Sequence, residues 1–126
     1  MRREELTLTD IVEAANAIGR FLDDVEKEDF LNDDLRQSAV LQKLTVIGEA
    51  AARLPADFQE RHSTIEWRDI IGFRNIAVHE YFSVNWETVW VTAALDVPLL
   101  REKIAAILAT EYSEQGPADN SEDQSA

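Results

Sequence analysis

Apolar residues recur along the chain at helical intervals. Ile11, Ala15, Ile18, Leu22 and Val25 make one stripe on a helix that Thr9 or Asp10 can cap. The acidic stretch KEDFLND then reads as a connection, with Phe30 and Leu31 tucked onto the core. Asn32 or Asp33 can cap a second helix that Pro55 terminates. That helix carries Leu35, Ala39, Val40, Leu44, Ile47, Ala51 and Leu54 on one side, and Leu41, Thr45, Gly48 and Ala52 beside them. A helix apolar on two sides is expected at the centre of a fold. Gly48 costs about 1 kcal/mol relative to alanine inside a helix, so the small residues of IGEAA predict a neighbour in close approach.

Residues 55–65 read as a connector with one short helical turn. Ser63 or Thr64 is the expected cap of a third helix, on which Trp67, Ile70, Ile71, Phe73, Ala77 and Val78 fall at helical spacing. YFSVN breaks it, and Asn85 can cap a long fourth helix. Trp86, Val89, Trp90, Ala93, Val97, Leu100, Ile104, Ile107 and Leu108 are its predicted inward face, with a kink expected near Pro98. After Tyr112 no large apolar residue remains, so residues 113–126 read as a disordered acidic tail following a helical domain of residues 1–112. No strand alternation or internal repeat competes with this reading. The predicted fold class is all-α, an up-and-down bundle of four to five helices.

Composition narrows the class of function. The chain has no cysteine, which removes disulfides and thiolate metal sites and fits a reducing compartment. No stretch approaches the ~20 apolar residues of a membrane span, and MRREELTLTDIVE has no apolar signal core. A cytoplasmic location is the expectation. The formal net charge is -13, which by itself argues against general nucleic-acid binding. The acid is unevenly spread, however. Residues 53–81 hold four arginines against five acids, while the other 97 residues carry a net charge of -12.

Within that least acidic region lies RNIAVHEYF, residues 74–82, in a chain with two histidines and two tyrosines. Trp67, Ile71, Arg74, Val78 and Tyr81 share one helical stripe, so Arg74 occupies a place where leucine is expected. It is either an arginine snorkelling past the core edge or a charge held to meet an anion. His79 is either a partner for the last helical carbonyls or a general acid and base. Asn75 shares a face with His79 and is either an exposed polar residue or a group that orients the imidazole. Tyr81 reads as a half-buried aromatic. On a straight helix Arg74 and His79 lie about 140° apart, so they do not converge within one continuous helix. His62 reads as a solvated loop residue. Asp23, Asp24, Asp33 and Asp34 lack the spacing of a metal loop and read as solvated or capping carboxylates, and Glu49 beside Gly48 reads as a buried or interfacial acid.

R-N-I-A-V-H-E-Y resembles the R-x-x-x-x-H-x-Y motif of the HEPN superfamily, and within it the HepT-like toxins of HepT–MNT toxin–antitoxin pairs. VIGEAA (46–51), RLP (53–55), IEWRDIIGFRN (65–75) and the stretch with Asp96 and Pro98 are similar to that family in order and spacing. The resemblance covers roughly residues 8–110. It implies a small helical homodimer whose motifs line an interfacial cleft, acting as a metal-independent endoribonuclease with no cofactor. It implies Arg74 and His79 as the catalytic pair and Asn75 in support. It also implies a minimal nucleotidyltransferase antitoxin as partner, which uses ATP to place AMP on Tyr81. The alternative is a non-catalytic helical module that docks a nucleotidyltransferase or binds a nucleotide.

Overall fold

A computed structural model of the chain describes residues 3–76 and 84–112. His79, Tyr81 and the expected tail lie outside the described residues. Every regular element among the described residues is helical: α1 (Arg3–Phe21), α2 (Lys27–Leu31), α3 (Asp34–Ala52), α4 (Ala56–Arg61), α5 (Trp67–Gly72), α6 (Trp86–Val91), a π-helical turn (Thr92–Asp96) and α7 (Val97–Glu111). The all-α expectation holds. No helix among the described residues is long and apolar enough to cross a membrane.

The first helix starts earlier than its expected caps. Leu8 is fully buried, so α1 extends N-terminally to cover it. Thr9 then sits inside the helix, its hydroxyl donating to Glu5 O at 2.8 Å, as Thr7 donates to Arg3 O at 3.0 Å. The predicted cap at Asp33 is in place: its carboxylate accepts the Arg36 backbone N–H at 3.1 Å. The Arg36 guanidinium turns back to donate to Phe21 O at 2.7 Å, which covers the last carbonyls of α1. Phe30 is fully buried on α2, as expected of that connection, while the Gln37 amide donates to Phe30 O and Leu31 O. Leu35 departs from its predicted inward place and is 79% exposed, because it lies in the first turn of α3, outside the core contact.

Three cross-links set the directions of the helices. Arg36 joins the start of α3 to the end of α1, and Arg53 pairs with Asp10 at 3.8 Å at the opposite end, so α1 and α3 are antiparallel. Lys27 pairs with Glu87 at 3.8 Å, which sets the start of α6 beside α2, at the end of the bundle where α3 begins. Arg61 and His62 meet Glu111 at the far end, so the α6–α7 rod runs parallel to α3. Between these two ends, α5 packs against α3. Leu8, Ile11 and Ile18 of α1, Val40, Leu44 and Ile47 of α3, and Val97 and Ile104 of α7 form the shared core.

The interruption expected at Pro98 takes the form of a widened turn. Pro98 has no N–H for the Ala94 carbonyl. Just before it, the Val97 N–H donates to Thr92 O, five residues back. The predicted cap at Ser63 or Thr64 is not used. Glu66 occupies the N-cap position of α5 without a side-chain bond. The Trp67 indole N–H anchors this junction instead, donating to Gln59 O and His62 O at 3.1 Å each.

Candidate active site around Arg74

The helix predicted to run through the motif stops at Gly72. Phe73 N–H donates to Ile70 O at 3.0 Å, Arg74 N–H to Ile71 O at 3.2 Å, and Ile76 N–H to Phe73 O at 3.3 Å. Bonds to the third residue back wind the chain more tightly than an α-helix. The stripe drawn through Trp67, Ile71 and Arg74 is therefore broken. Trp67 is buried, Ile71 is half-buried, and Arg74 and Asn75 are exposed. This corrects the expectation that Arg74 occupies a buried stripe. Asn75 and Ile76 resume the helix after this turn, and the separation of about 140° expected between Arg74 and His79 reaches a residue outside those described.

The turn lies directly on α3. A Cβ built on Gly48 would sit 2.6 Å from the Arg74 backbone nitrogen, 3.0 Å from Ile71 O and 3.1 Å from Arg74 Cβ. The close approach predicted at IGEAA is thus made by the turn that carries Arg74. Glu49, read as buried or interfacial, is exposed. Beyond the motif, Asn85 caps α6 as predicted, accepting the Thr88 N–H at 3.1 Å. Trp86 and Trp90 then lean on the Phe30 ring, at centroid distances of 6.3 and 5.6 Å. The chain is anchored at Arg74 and again at Asn85–Trp90, on either side of the histidine and tyrosine.

The local charges favour an anion at Arg74. Among the described residues no carboxylate stands at ion-pair distance from its guanidinium. In a chain with 25 acids and 12 bases, an exposed arginine without such a partner is available for a phosphate. A groove of about 300 Å³ lies between α5 and α7, lined by Ile70, Phe73 and Leu100, by the carboxylates Glu66, Asp69 and Asp96, and by Lys103. Three carboxylates against one ammonium leave the groove net negative, which disfavours phosphate inside it.

His62 differs from its reading as a solvated loop residue. Its side chain is 18% exposed, packs on the Phe58 ring, and brings Nε2 to 2.9 Å from Glu111 Oε2, out of hydrogen-bond alignment. Nothing in the sequence marks that partner, which is far along the chain. Asp33 serves as a cap, and among the described residues no cluster of three or more His, Cys, Asp or Glu side chains is arranged to hold a metal ion.

Comparison with known proteins adds to this geometry. The pattern of the family described as "Ribonuclease HepT-like" matches residues 11–107. The chain is similar to "Probable ribonuclease HepT" of Thermococcus cleftensis, 40% identical over 96 residues that cover 76% of this chain and 87% of that one. It is 32% identical over 100 residues to "Putative RNase MJ1380" of Methanocaldococcus jannaschii, covering 79% and 92%. It is 39% identical over 84 residues to "Putative RNase TTE0752" of Caldanaerobacter subterraneus subsp. tengcongensis, covering 67% and 75%. No solved structure matches the chain. The match spans the bundle core, the Gly48 contact and the whole Arg74–Tyr81 motif, and the chain belongs to the HepT-like ribonuclease family.

Proposed function

We propose that this protein is a metal-independent endoribonuclease, the toxin of a toxin–antitoxin pair, with Arg74 and His79 as its catalytic groups. The observation that carries the reading is the exposed Arg74 guanidinium, without an ion-pair partner among the described residues, on a turn held against α3. In the proposed reaction the 2′-hydroxyl of RNA attacks the adjacent phosphorus. The new P–O2′ bond forms as the P–O5′ bond breaks, leaving a cyclic phosphate and a free 5′-hydroxyl. His79 takes the proton from the 2′-oxygen and supplies one to the departing 5′-oxygen, with the second subunit's motif in reach. Arg74 meets the negative charge that builds on the phosphoryl oxygens through forked N–H donors. Asn75, exposed beside Arg74, assists positioning. Neither a metal nor an organic cofactor takes part in this scheme.

The site is shared between two copies of the chain in this reading. Val91, Leu95 and Leu99 are 44%, 61% and 64% exposed and follow one another at intervals of four residues. Such an apolar stripe supports a surface covered by a second subunit. A nucleotidyltransferase antitoxin silences the enzyme by transferring AMP from ATP to the Tyr81 hydroxyl, with release of pyrophosphate. The adenylate brings bulk and negative charge beside Arg74 and His79, and RNA is excluded on both counts.

The test is cleavage of RNA by purified protein in the presence of a chelator. Wild type is expected to cleave, and Arg74→Ala and His79→Ala are each expected to lose at least 100-fold in rate, the scale of removing one oxyanion donor or one general acid–base group. Undiminished cleavage by both variants refutes the assignment. RNA left intact by wild type, with retained binding of the nucleotidyltransferase, supports a docking module instead.

A further inference from the structure

We infer that Gly48 is a positioning residue for Arg74: the bare face of α3 at this glycine sets where the guanidinium starts from. The inference rests on the reading of Arg74 as catalytic. A methyl group on Gly48 would meet the Arg74 nitrogen at 2.6 Å and Ile71 O at 3.0 Å, both backbone atoms. Those two atoms are hydrogen-bonded to each other at 3.2 Å, so the turn cannot yield at one of them alone. It has to move as a body.

The other side of the contact cannot retreat. Ile47, Ala50 and Ala51, which flank Gly48 on α3, are each 0% exposed. Backing α3 away from the turn would disturb the close packing of these residues. The displacement therefore falls on the turn. Ordinary contact begins at 3.4 Å, against 2.6 Å for the built Cβ, so the Arg74 nitrogen shifts by about 0.8 Å or more. Arg74 Cβ, only 3.1 Å from the added carbon, shifts with it. Misplacing a reacting group by about 1 Å can cost about 100-fold in rate while leaving much of the substrate contact intact.

Two other glycines provide the contrast. Nothing lies within 4 Å of a Cβ built on Gly19 or on Gly72. Glycine at 48 is thus required by a contact, and the contact is to the residue that carries the candidate chemistry.

The experiment compares full-length wild type, Gly48→Ala, Arg74→Ala and the double variant in RNA cleavage, with Gly19→Ala as control and circular dichroism to establish folding. Gly48→Ala is expected to lower kcat by about 10- to 100-fold with KM within about 3-fold. The double variant is expected to be no slower than Arg74→Ala, because a residue that acts only through Arg74 has nothing further to remove. Losses that multiply in the double variant, or wild-type kcat in Gly48→Ala, overturn the inference. Full cleavage by Arg74→Ala overturns the assignment of Arg74, and this inference with it. Should Gly48→Ala fail to fold, hydrogen exchange on the wild type decides. The Arg74 amide, covered by α3, is expected to be protected by about 100-fold or more over an unstructured chain, and unprotected exchange overturns the inference.

Discussion

Replacing Phe30 by alanine tests the packing that anchors the chain where it leaves the motif. Phe30 is 0% exposed, and its ring is the surface on which Trp86 and Trp90 rest, at 6.3 and 5.6 Å. Truncation of a buried phenylalanine costs about 3–5 kcal/mol, because the lost transfer energy is joined by a cavity that the neighbours fill only in part. The backbone bonds remain, since Gln37 reaches the Phe30 carbonyl and not its ring. We expect a loss of about 4 kcal/mol, a large share of the roughly 6–12 kcal/mol that a domain of this size possesses. In urea, with a slope of about 1.5 kcal/mol/M, the midpoint falls by about 2.5 M. Tryptophan fluorescence reads the transition directly through Trp86 and Trp90, and circular dichroism checks that it is a single one. Phe30→Leu, which keeps most of the volume, is expected to lose only about 1–1.5 kcal/mol. A loss below about 1.5 kcal/mol for Phe30→Ala, at unchanged slope, would refute the packing argument.

Two further outcomes concern the helices themselves. Gly19 lies on the exposed side of α1 with nothing within 4 Å of an added Cβ, so Gly19→Ala should stabilise by roughly 0.5–1 kcal/mol; a lowered melting temperature would show that the helix is not regular there. The Asp33 carboxyl is held below its ordinary value of 3.8, first by the Arg36 backbone N–H and then by the Arg36 side chain. Its contribution to stability is complete above that value and is lost as pH falls below 3.8 through the lower folded value. Asp33→Asn keeps a good cap but removes this titration. Its unfolding midpoint should therefore fall less than that of wild type on acidification below pH 4, and parallel pH profiles would contradict the assignment.

Much of the fold is legible in the spacing of apolar residues. The stripes through Ile11–Ile18 and Val40–Ala51, the caps at Asp33 and Asn85, and the inward face Val89–Ile107 follow from the helical period and from which side chains satisfy free N–H groups. Boundaries fare less well. Thr9 has a capping side chain, yet burial of Leu8 carries α1 past it. Ser63 and Thr64 have capping side chains too, and the Trp67 indole settles that junction instead.

The site divides along the same line. The motif offers Arg74, Asn75, His79 and Tyr81 as candidates, and the glycine of IGEAA announces a close neighbour. Periodicity also placed Arg74 on a buried stripe, because it assumes that a helix continues. Local spacing is enough to mark the long helices, their apolar faces and the residues with candidate chemistry, since each of these depends on near neighbours in the chain; it reads Lys27–Leu31, a short helix, as a connection. The end of α5 at Gly72, the exposure of Arg74, the meeting of His62 with Glu111 and the Arg74 backbone as the neighbour of Gly48 are visible in the folded chain alone. Those outcomes depend on contacts between segments far apart in the chain, where packing at van der Waals distance overrides local preference.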